Sequence, residues 1–196
     1  MTTNGLTVAE ARELMQAWVA SPALRVHMES VAACMTEYAT TVDPAHLARW
    51  TVCGLLHDFD YERHPTPEEH PHIGVQHLRS LGVDDEILDA IMGHASYTGT
   101  PRISAMARHL FAVDELAGFI VACGKVRPDG LASLEPASVK KKLKTATFAA
   151  AVSRADIDEG AREVGAADGP AFESHVARCI AAIRSADVAQ GVARVG

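Results

Sequence analysis

The sequence predicts a single all-α domain, and three observations support this fold class. Apolar residues recur with the helical period of about 3.6 along nearly the whole chain, and no alternating strand pattern of useful length occurs. The length of 196 residues suits one domain and is short for two. With 48% apolar residues and no internal repeat, the chain can close one sizeable core.

Helix-start signals define the first three helices. Serine, threonine and aspartate cap the free N–H groups of a first turn, and a following proline suits the first helical position. A capping box, a Ser-Pro pair and an Asp-Pro pair follow one another along the N-terminal part of the chain. The predicted helices run from Thr7 to about Val19, from Ser21-Pro22 onward, and from Asp43-Pro44 to His57-Asp58.

Proline and glycine divide the rest of the chain. A polar loop over residues 61–69 ends before Pro71, because a proline deep inside a helix would clash with the preceding turn. Loops containing glycine and proline are also expected at residues 96–102 and 125–136. The other helices are predicted to begin near His70-Pro71 and to span about residues 84–94, 104–123, 137–151, 154–164 and 170–185.

Composition and charge argue against several classes of protein. The formal net charge of -7 disfavours a general nucleic-acid binder, which normally has a basic face. No apolar run is long enough to span a membrane, and residues 1–10 lack a secretory pattern. The four cysteines form no CxxC pair, so we expect buried thiols. We therefore expect a cytoplasmic protein with no membrane or nucleic-acid partner, its oligomeric state left open.

Six polar side chains fall on helix faces that are predicted to point inward. Each histidine taken singly could be an ordinary core residue, but buried imidazoles and carboxylates are costly unless their charge is compensated. A metal ion would compensate all six, and these ligand types suit iron, manganese, cobalt or zinc. The six residues are His27, His57, Asp58, His70, His94 and Asp114.

The helical phase separates His70 from its neighbour His72. At 100° per residue, His70 shares a face with Gly74 and Leu81, whereas His72 points about 200° away. We therefore predict that His70 faces the core and that His72 faces water. The other histidines are assigned to loops, polar faces or packing: His46, His64, His77, His109 and His175.

Three segments carry recognisable motifs: Leu55-Leu56-His57-Asp58-Phe59-Asp60, the HPxxG-like His70-Pro71-His72-Ile73-Gly74, and Gly93-His94. Their order, with His27 before them and Asp114 after them, resembles the HD superfamily of metal-dependent phosphohydrolases over about residues 27–128. The family motif continues Ile-Gly-Lys after its HD pair, whereas this chain continues Phe59-Asp60-Tyr61. The resemblance implies a single-domain, HD-type helical bundle, HDIG-like in subgroup.

The resemblance implies a centre with one or two divalent transition-metal ions. Two ions about 3.5–4 Å apart can hold a hydroxide and clamp a phosphoryl oxygen. We expect hydrolysis of a phosphoester or phosphoanhydride in a small phosphorylated metabolite or nucleotide, with metal-bound hydroxide as the nucleophile. By motif, the first ion takes His27, His57, Asp58 and Asp114, and the second takes His70 and His94, with Asp58 bridging.

An anionic substrate of an acidic protein requires local cations. Arg102, just after the His94 loop, is the first candidate. The lysine run 140–144 is the second, with Lys141 and Lys144 as the predicted pair and a solvated helix face as the alternative. Asp60 is a candidate proton shuttle or partner of a metal ligand, although an ordinary surface carboxylate is an equal alternative.

Two further functions remain open at this stage. The same ligand cage resembles that of HD-type mixed-valent di-iron oxygenases. A non-catalytic regulatory HD module is the other alternative, although an intact ligand set weighs against a decayed site. Along the chain we expect an N-terminal helix (1–20), a metal-binding core (21–128), C-terminal helices packed on it (129–185) and a flexible tail (186–196).

Overall fold

The predicted all-α class is confirmed. The structure, a computed structural model, describes residues 5–167 and 169–186, and within these ranges it contains helices, turns and loops but no strand. A short 3-10 turn, Ser96–Thr98, lies in the loop after the fifth helix. The helices are α1 (Val8–Trp18), α2 (Pro22–Val42), α3 (Leu47–Leu56), α4 (His72–Ser80), α5 (Asp85–His94), α6 (Ala105–Lys125), α7 (Pro136–Leu143), α8 (Arg154–Glu163) and α9 (Gly169–Ser185).

The two longest helices, α2 and α6, form the centre of the domain. They pack against each other, while α3 and α9 contact α2, and α5 and α8 contact α6. The apolar stripe of α2 is buried as its spacing predicts, with Met28, Val31 and Met35 at 0% exposure. Because α3 also contacts α5 and α6, side chains from α2, α3, α5 and α6 can meet in one place.

The first two helices begin where the capping signals predict. Thr7 and Glu10 form the expected capping box, and the Ser21 hydroxyl accepts the N–H of Leu24. The carboxylate of Glu62 accepts the backbone N–H of Ala20 at 2.6 Å and that of Ser21 at 3.2 Å. Glu62 therefore fixes the chain where it enters α2.

The third helix begins later than its Asp-Pro signal predicts. Asp43 closes α2 instead, because its backbone N–H donates to the Ala39 carbonyl. Its carboxylate then accepts hydrogen bonds from His46 Nδ1 at 2.7 Å and from Trp50 Nε1 at 3.1 Å. These bonds stabilise a turn, so that α3 starts only at Leu47.

The seventh helix is shorter than the predicted span of residues 137–151. It ends at Leu143, and residues 144–153 form turns. The guanidinium of Arg154 donates to the carbonyls of Ala149 at 2.6 Å and Val152 at 2.7 Å. Satisfying these carbonyls with a side chain lets the backbone leave the helix without losing hydrogen bonds.

His175 is not on a polar face, which corrects its assignment from the sequence. It is 3% exposed, its Nε2–H donates to the Ala112 carbonyl, and Tyr38 donates to its Nδ1. Burial lowers the pKa of His175 to about 4, so the ring stays neutral. His109 is half-buried between the rings of Tyr38 and Trp50.

Two further expectations concern the chain as a whole. Among the helices of residues 5–167 and 169–186, none has both the length and the apolarity to cross a membrane. The four cysteines are free and buried, as expected. The division at residues 20, 128 and 185 stays a prediction, and all of the predicted tail after residue 186 lies outside the described residues.

Gly54 allows α3 to approach α2 closely. A Cβ atom at this position would lie 2.6 Å from the Cα of Ala32, which is backbone and cannot rotate away. We expect Gly54→Ala to lower the free energy of unfolding by about 1–3 kcal/mol, the usual cost of overpacking a core. Urea unfolding measures this change, and an unaltered midpoint would show that the two helices can separate freely.

Candidate metal centre

The six predicted ligands come from five segments that converge on one region. Four of them lie at or beside the end of a helix, and the other two lie within the central helices α2 and α6. Helices hold the backbone of these residues rigidly, and the side chains point into the domain. His27 lies in the second turn of α2, His57 and Asp58 directly follow α3, His70 precedes α4, His94 ends α5, and Asp114 lies in the middle of α6.

Four donor atoms form a first cluster. The Nε2 atom of His27 lies 3.1 Å from His57 Nε2 and 3.0 Å from Asp114 Oδ1. The same atom lies 3.6 Å from Asp58 Oδ2. His57 Nε2 is 3.5 Å from Asp58 Oδ2 and 3.4 Å from Asp114 Oδ1.

These separations match the edges of a metal coordination polyhedron. An ion bound about 2.1 Å from each ligand atom requires ligand atoms about 3.0 Å apart at right angles and about 3.4 Å apart at the tetrahedral angle. The two histidine nitrogens of the first cluster lie 3.1 Å apart and 3.0 to 3.6 Å from the carboxylate oxygens. Two imidazoles and the Asp58 carboxylate at these distances could hold one divalent transition ion, and Asp114 lies beside both imidazoles.

Asp58 joins the first cluster to a second one. Its Oδ2 atom faces His27 and His57, whereas its Oδ1 atom lies 3.3 Å from His70 Nε2 and 3.2 Å from His94 Nε2. The two groups His27–His57–Asp58 and Asp58–His70–His94 each have the ligand spacing of a metal site. One carboxylate with its two oxygens in different clusters could bridge a pair of ions.

Backbone carbonyls orient two of the imidazoles. The Nδ1–H of His57 donates to the Gly54 carbonyl at 2.9 Å, and that of His94 donates to the Ile91 carbonyl at 2.5 Å. A proton on Nδ1 leaves the lone pair on Nε2, the atom that faces Asp58 in both rings. Metal-binding histidines in proteins are commonly held this way.

Asp60 orients the third imidazole, His70. The Asp60 side chain is 1% exposed, so it is not a surface carboxylate. Its Oδ1 accepts the Nδ1–H of His70 at 2.8 Å, and its Oδ2 accepts the backbone N–H of Gly74 at 2.7 Å. A Cβ atom at Gly74 would lie 2.7 Å from Asp60 Cγ, so glycine is required there. Asp60 is thus a positioning residue for a predicted ligand.

We expect Asp60→Asn to weaken binding of a second ion about 10- to 100-fold, the usual effect of removing a partner of a metal ligand. An amide offers one acceptor oxygen, but His70 Nδ1–H and Gly74 N–H are both donors. Either one of these two hydrogen bonds is lost, or the His70 proton moves from Nδ1 to Nε2, the atom that would bind the ion. Metal titration checks this, with the exposed Asp89→Asn as control. Unchanged affinity for both ions would contradict it.

The electrostatics of the cluster favour a cation at its centre. Burial opposes charge on His57, but the Asp58 and Asp114 carboxylates raise its pKa well above the usual value. Burial likewise opposes charge on Asp58, but His57 holds the pKa of this carboxyl well below its usual value. The pKa of His70 rises to about 9 despite burial, because Asp58 and Asp60 accept its hydrogen bonds. A divalent ion would supply the positive charge that these groups favour.

The ligands open into a cavity of about 390 Å³. His27, Asp58, His70, His94 and Asp114 line it. Its other walls carry two partly exposed tyrosines, a serine, two carboxylates and small or apolar residues. A volume of this size admits a small molecule beside the ions. These other lining residues are Tyr61, Ala95, Ser96, Tyr97, Glu115, Gly118, Ala151, Val152 and Asp156.

Arg102 does not line this cavity, so the geometry gives no support to its expected role in binding substrate. Its guanidinium pairs with Glu159 at 2.5 Å and Glu163 at 2.6 Å and lies over the Phe111 ring at 3.7 Å. It also donates to the Gly93 carbonyl at 3.3 Å. Its charge is thus compensated, and Arg102 ties the end of α5 to α8.

The lysine run is also separate from the cavity lining. Lys141 and Lys144 are exposed, which fits the alternative of a solvated helix face. Lys140 pairs with Glu173 at 2.6 Å, and Lys142 lies over the Phe148 ring at 4.2 Å. The geometry therefore gives no support to a substrate-binding role for Lys141 or Lys144.

Three cavity residues were missed by the sequence reasoning. Glu115 directly follows Asp114 in an apolar helix, and this second acidic residue was the available signal. Burial raises the pKa of Glu115 to about 7, and nearby Asp114 adds to the shift. Tyr97 donates its hydroxyl proton to the His70 carbonyl at 3.1 Å, and Asp156 comes from the first turn of α8. No local pattern placed either of them near the ligands.

Comparison with known proteins yields no match: no family model, no curated protein and no solved structure is significantly similar to this chain. The fold and the site therefore rest on the chain's own residues. The described residues form an all-helical domain whose cluster of histidines and aspartates could hold a metal ion. This combination is compatible with an HD-type domain.

Proposed function

We propose that this chain is an HD-type, metal-dependent hydrolase of a small phosphate ester. The observation that supports it most strongly is the position of Asp58, whose Oδ2 faces one pair of histidines while its Oδ1 faces another. A bridging carboxylate of this kind is typical of centres with two ions. The cluster of histidines and aspartates opens into a cavity, so a substrate can reach it.

The residues of the chain would bind, orient and partly enclose the reacting groups. Two divalent ions, when bound, polarise a phosphoryl oxygen and lower the pKa of a water molecule. Asp58 would fix the spacing between the ions, and Asp60 would keep the lone pair of His70 available. The Tyr61 ring packs edge-on against His70 with centroids 5.1 Å apart, which shields that side from water.

The proposed reaction consumes one water molecule and needs no other reactant. The water oxygen forms a bond to phosphorus, the phosphorus–oxygen bond of the ester breaks, and the bonding pair stays with the departing alkoxide. The alkoxide takes up a proton from the water, and the products are inorganic phosphate and an alcohol. The oxygenase alternative would use the same ligands, and no feature of the described cavity favours it.

The experiment that tests this function measures phosphate release from a panel of small phosphate esters. We expect release that depends on added Mn²⁺, Co²⁺ or Fe²⁺ and is abolished by a chelator. His94→Ala should reduce the rate about 10²-fold or more, because several kcal/mol of charge stabilisation depend on the second ion. His72→Ala, an exposed residue of the adjacent helix, is the matched control and should leave the rate unchanged.

Three outcomes would contradict the proposal. Oxygen consumption without phosphate release would replace the hydrolase with the oxygenase. Failure of every ester and every metal would leave a non-catalytic module. Equal rates in His94→Ala and His72→Ala would remove the second histidine pair from the mechanism.

A further inference from the structure

The lining of the cavity beyond the metal ligands has an unusual charge. Glu115 from α6 and Asp156 from α8 add two carboxylates to those of Asp58 and Asp114. No lysine or arginine occurs among the described residues that line it. A pair of divalent ions would balance two of the four carboxylates and the charge of one phosphoryl group, so the other two carboxylates have no cation of the lining beside them.

Two arginines that neighbour Asp156, one in an adjoining cavity and one two residues earlier in the chain, are already engaged in the fold. Arg102 pairs with Glu159 and Glu163. Arg154 donates to the carbonyls of Ala149 and Val152. Neither is available to neutralise a carboxylate of the cavity. A cationic ligand would therefore supply positive charge that the cavity lining itself lacks.

Local structure explains only part of why these two carboxylates are present. Asp156 lies in the first turn of α8, where a negative charge is favourable. Within the described residues its side chain makes no hydrogen bond or ion pair, and yet it is half-buried in the cavity wall. Glu115 lies in the middle of α6; its Oε2 accepts the Ser153 N–H at 3.1 Å, and Oε1 has no partner in that part of the chain.

We propose that the substrate of this site carries a primary ammonium group beside its phosphoryl group, and that Glu115 and Asp156 bind this ammonium. The inference rests on the proposed function, since it assigns the phosphoryl group to the metal side of the cavity. Partly buried carboxylates favour a cationic partner over a neutral hydroxyl, because only a cation offsets their charge. Nucleotide polyphosphates would place further negative charge against the same wall and are disfavoured. Glu115 and Asp156 are thus specificity-determining residues.

Binding to the metal-loaded protein tests this inference without requiring turnover. Three phosphonates of equal length differ only at the far end: 3-aminopropylphosphonate, butylphosphonate and 4-phosphonobutyrate. Their carbon–phosphorus bond replaces the ester oxygen and is not hydrolysed. Calorimetry should show the ammonium probe binding at least about tenfold more tightly than the neutral one, and the carboxylate probe binding most weakly.

Two variants locate the effect. Glu115→Gln and Asp156→Asn should each reduce the preference for the ammonium probe severalfold and leave the affinity for butylphosphonate unchanged. Metal content is measured in both, because Glu115 follows a predicted ligand, and Asp156→Asn is decisive if Glu115→Gln perturbs the metal. Equal affinity of the ammonium and neutral probes would overturn the inference. So would a further bound ion that disappears in either variant.

The outcomes separate the inference from the proposed function. A preference for the ammonium probe without phosphate release from any ester would retain the ammonium subsite and reject the hydrolase. Phosphate release from 2-aminoethyl phosphate and propyl phosphate at equal kcat/KM would retain the hydrolase and reject the subsite.

Discussion

Asp58→Asn is expected to remove both bound ions and to lower hydrolysis by about 10³-fold or more, since a metal centre supplies several kcal/mol of charge stabilisation. Both oxygens of Asp58 face histidine Nε2 atoms, at 3.5 Å for His57 and 3.2 Å for His94. The asparagine side chain has nearly the same shape, but it carries no charge. Its NH₂ group, which cannot ligate an ion, must take one of the two positions.

Metal analysis and phosphate release measure this effect together. The control is Asp89→Asn, which makes the same chemical change at an exposed position on α5. Circular dichroism would show that both variants are folded. If Asp58→Asn retained two ions or the rate of the parent protein, the bridge would not exist, and the two clusters would have to be reinterpreted.

Chelation of the metal is expected to lower the melting temperature by about 5–10 °C. A ligand present at about 100 times its dissociation constant stabilises the native state by about 2.7 kcal/mol. For a chain of this size, about 1 kcal/mol corresponds to about 2–4 °C. The two ions together would join α2, α3, α5 and α6, so their loss affects the centre of the domain.

Thermal melts with and without EDTA check this effect. Adding back Mn²⁺ or Fe²⁺ should restore the original melting temperature. The Asp58→Asn variant provides the internal control, because its melting temperature should not respond to EDTA. A parent protein that melts at the same temperature in both conditions would argue against a structural contribution from the ion.

Helical phase alone was sufficient for part of the site. Apolar periodicity put Asp114 on the inward face of α6, and its side chain is 15% exposed beside His27 and His57. His70 is buried and His72 is exposed, as predicted, but α4 begins only at His72, so helical phase does not explain the direction of His70. Amphipathic periodicity determines which side of a helix meets the core, so the direction of Asp114 can be derived from local sequence.

Other parts of the site depend on tertiary contacts that no local pattern encodes. Arg102 follows the His94 loop in sequence, and this suggested a substrate cation, but Glu159 and Glu163 approach it from a helix about 60 residues later. His175 was placed among the histidines of loops and polar helix faces, although Tyr38 and the Ala112 carbonyl provide buried partners. In each case the deciding partner is distant in sequence.

Asp60 lies between these two extremes. Its position two residues after Asp58 marked it as a possible functional carboxylate, but sequence alone could not exclude an exposed one. Burial and the two bonds to His70 and Gly74 decide the question. They also give the residue a positioning role through His70, which an isolated motif could not specify.

The central claim is that His27, His57, Asp58, Asp114, His70 and His94 bind transition-metal ions. Elemental analysis of the full chain, purified without chelator and then reconstituted with Mn²⁺ or Fe²⁺, tests it most directly. We predict two ions per chain in the parent protein, one in His94→Ala and none in Asp58→Asn. Absence of any bound transition metal after reconstitution would contradict the account.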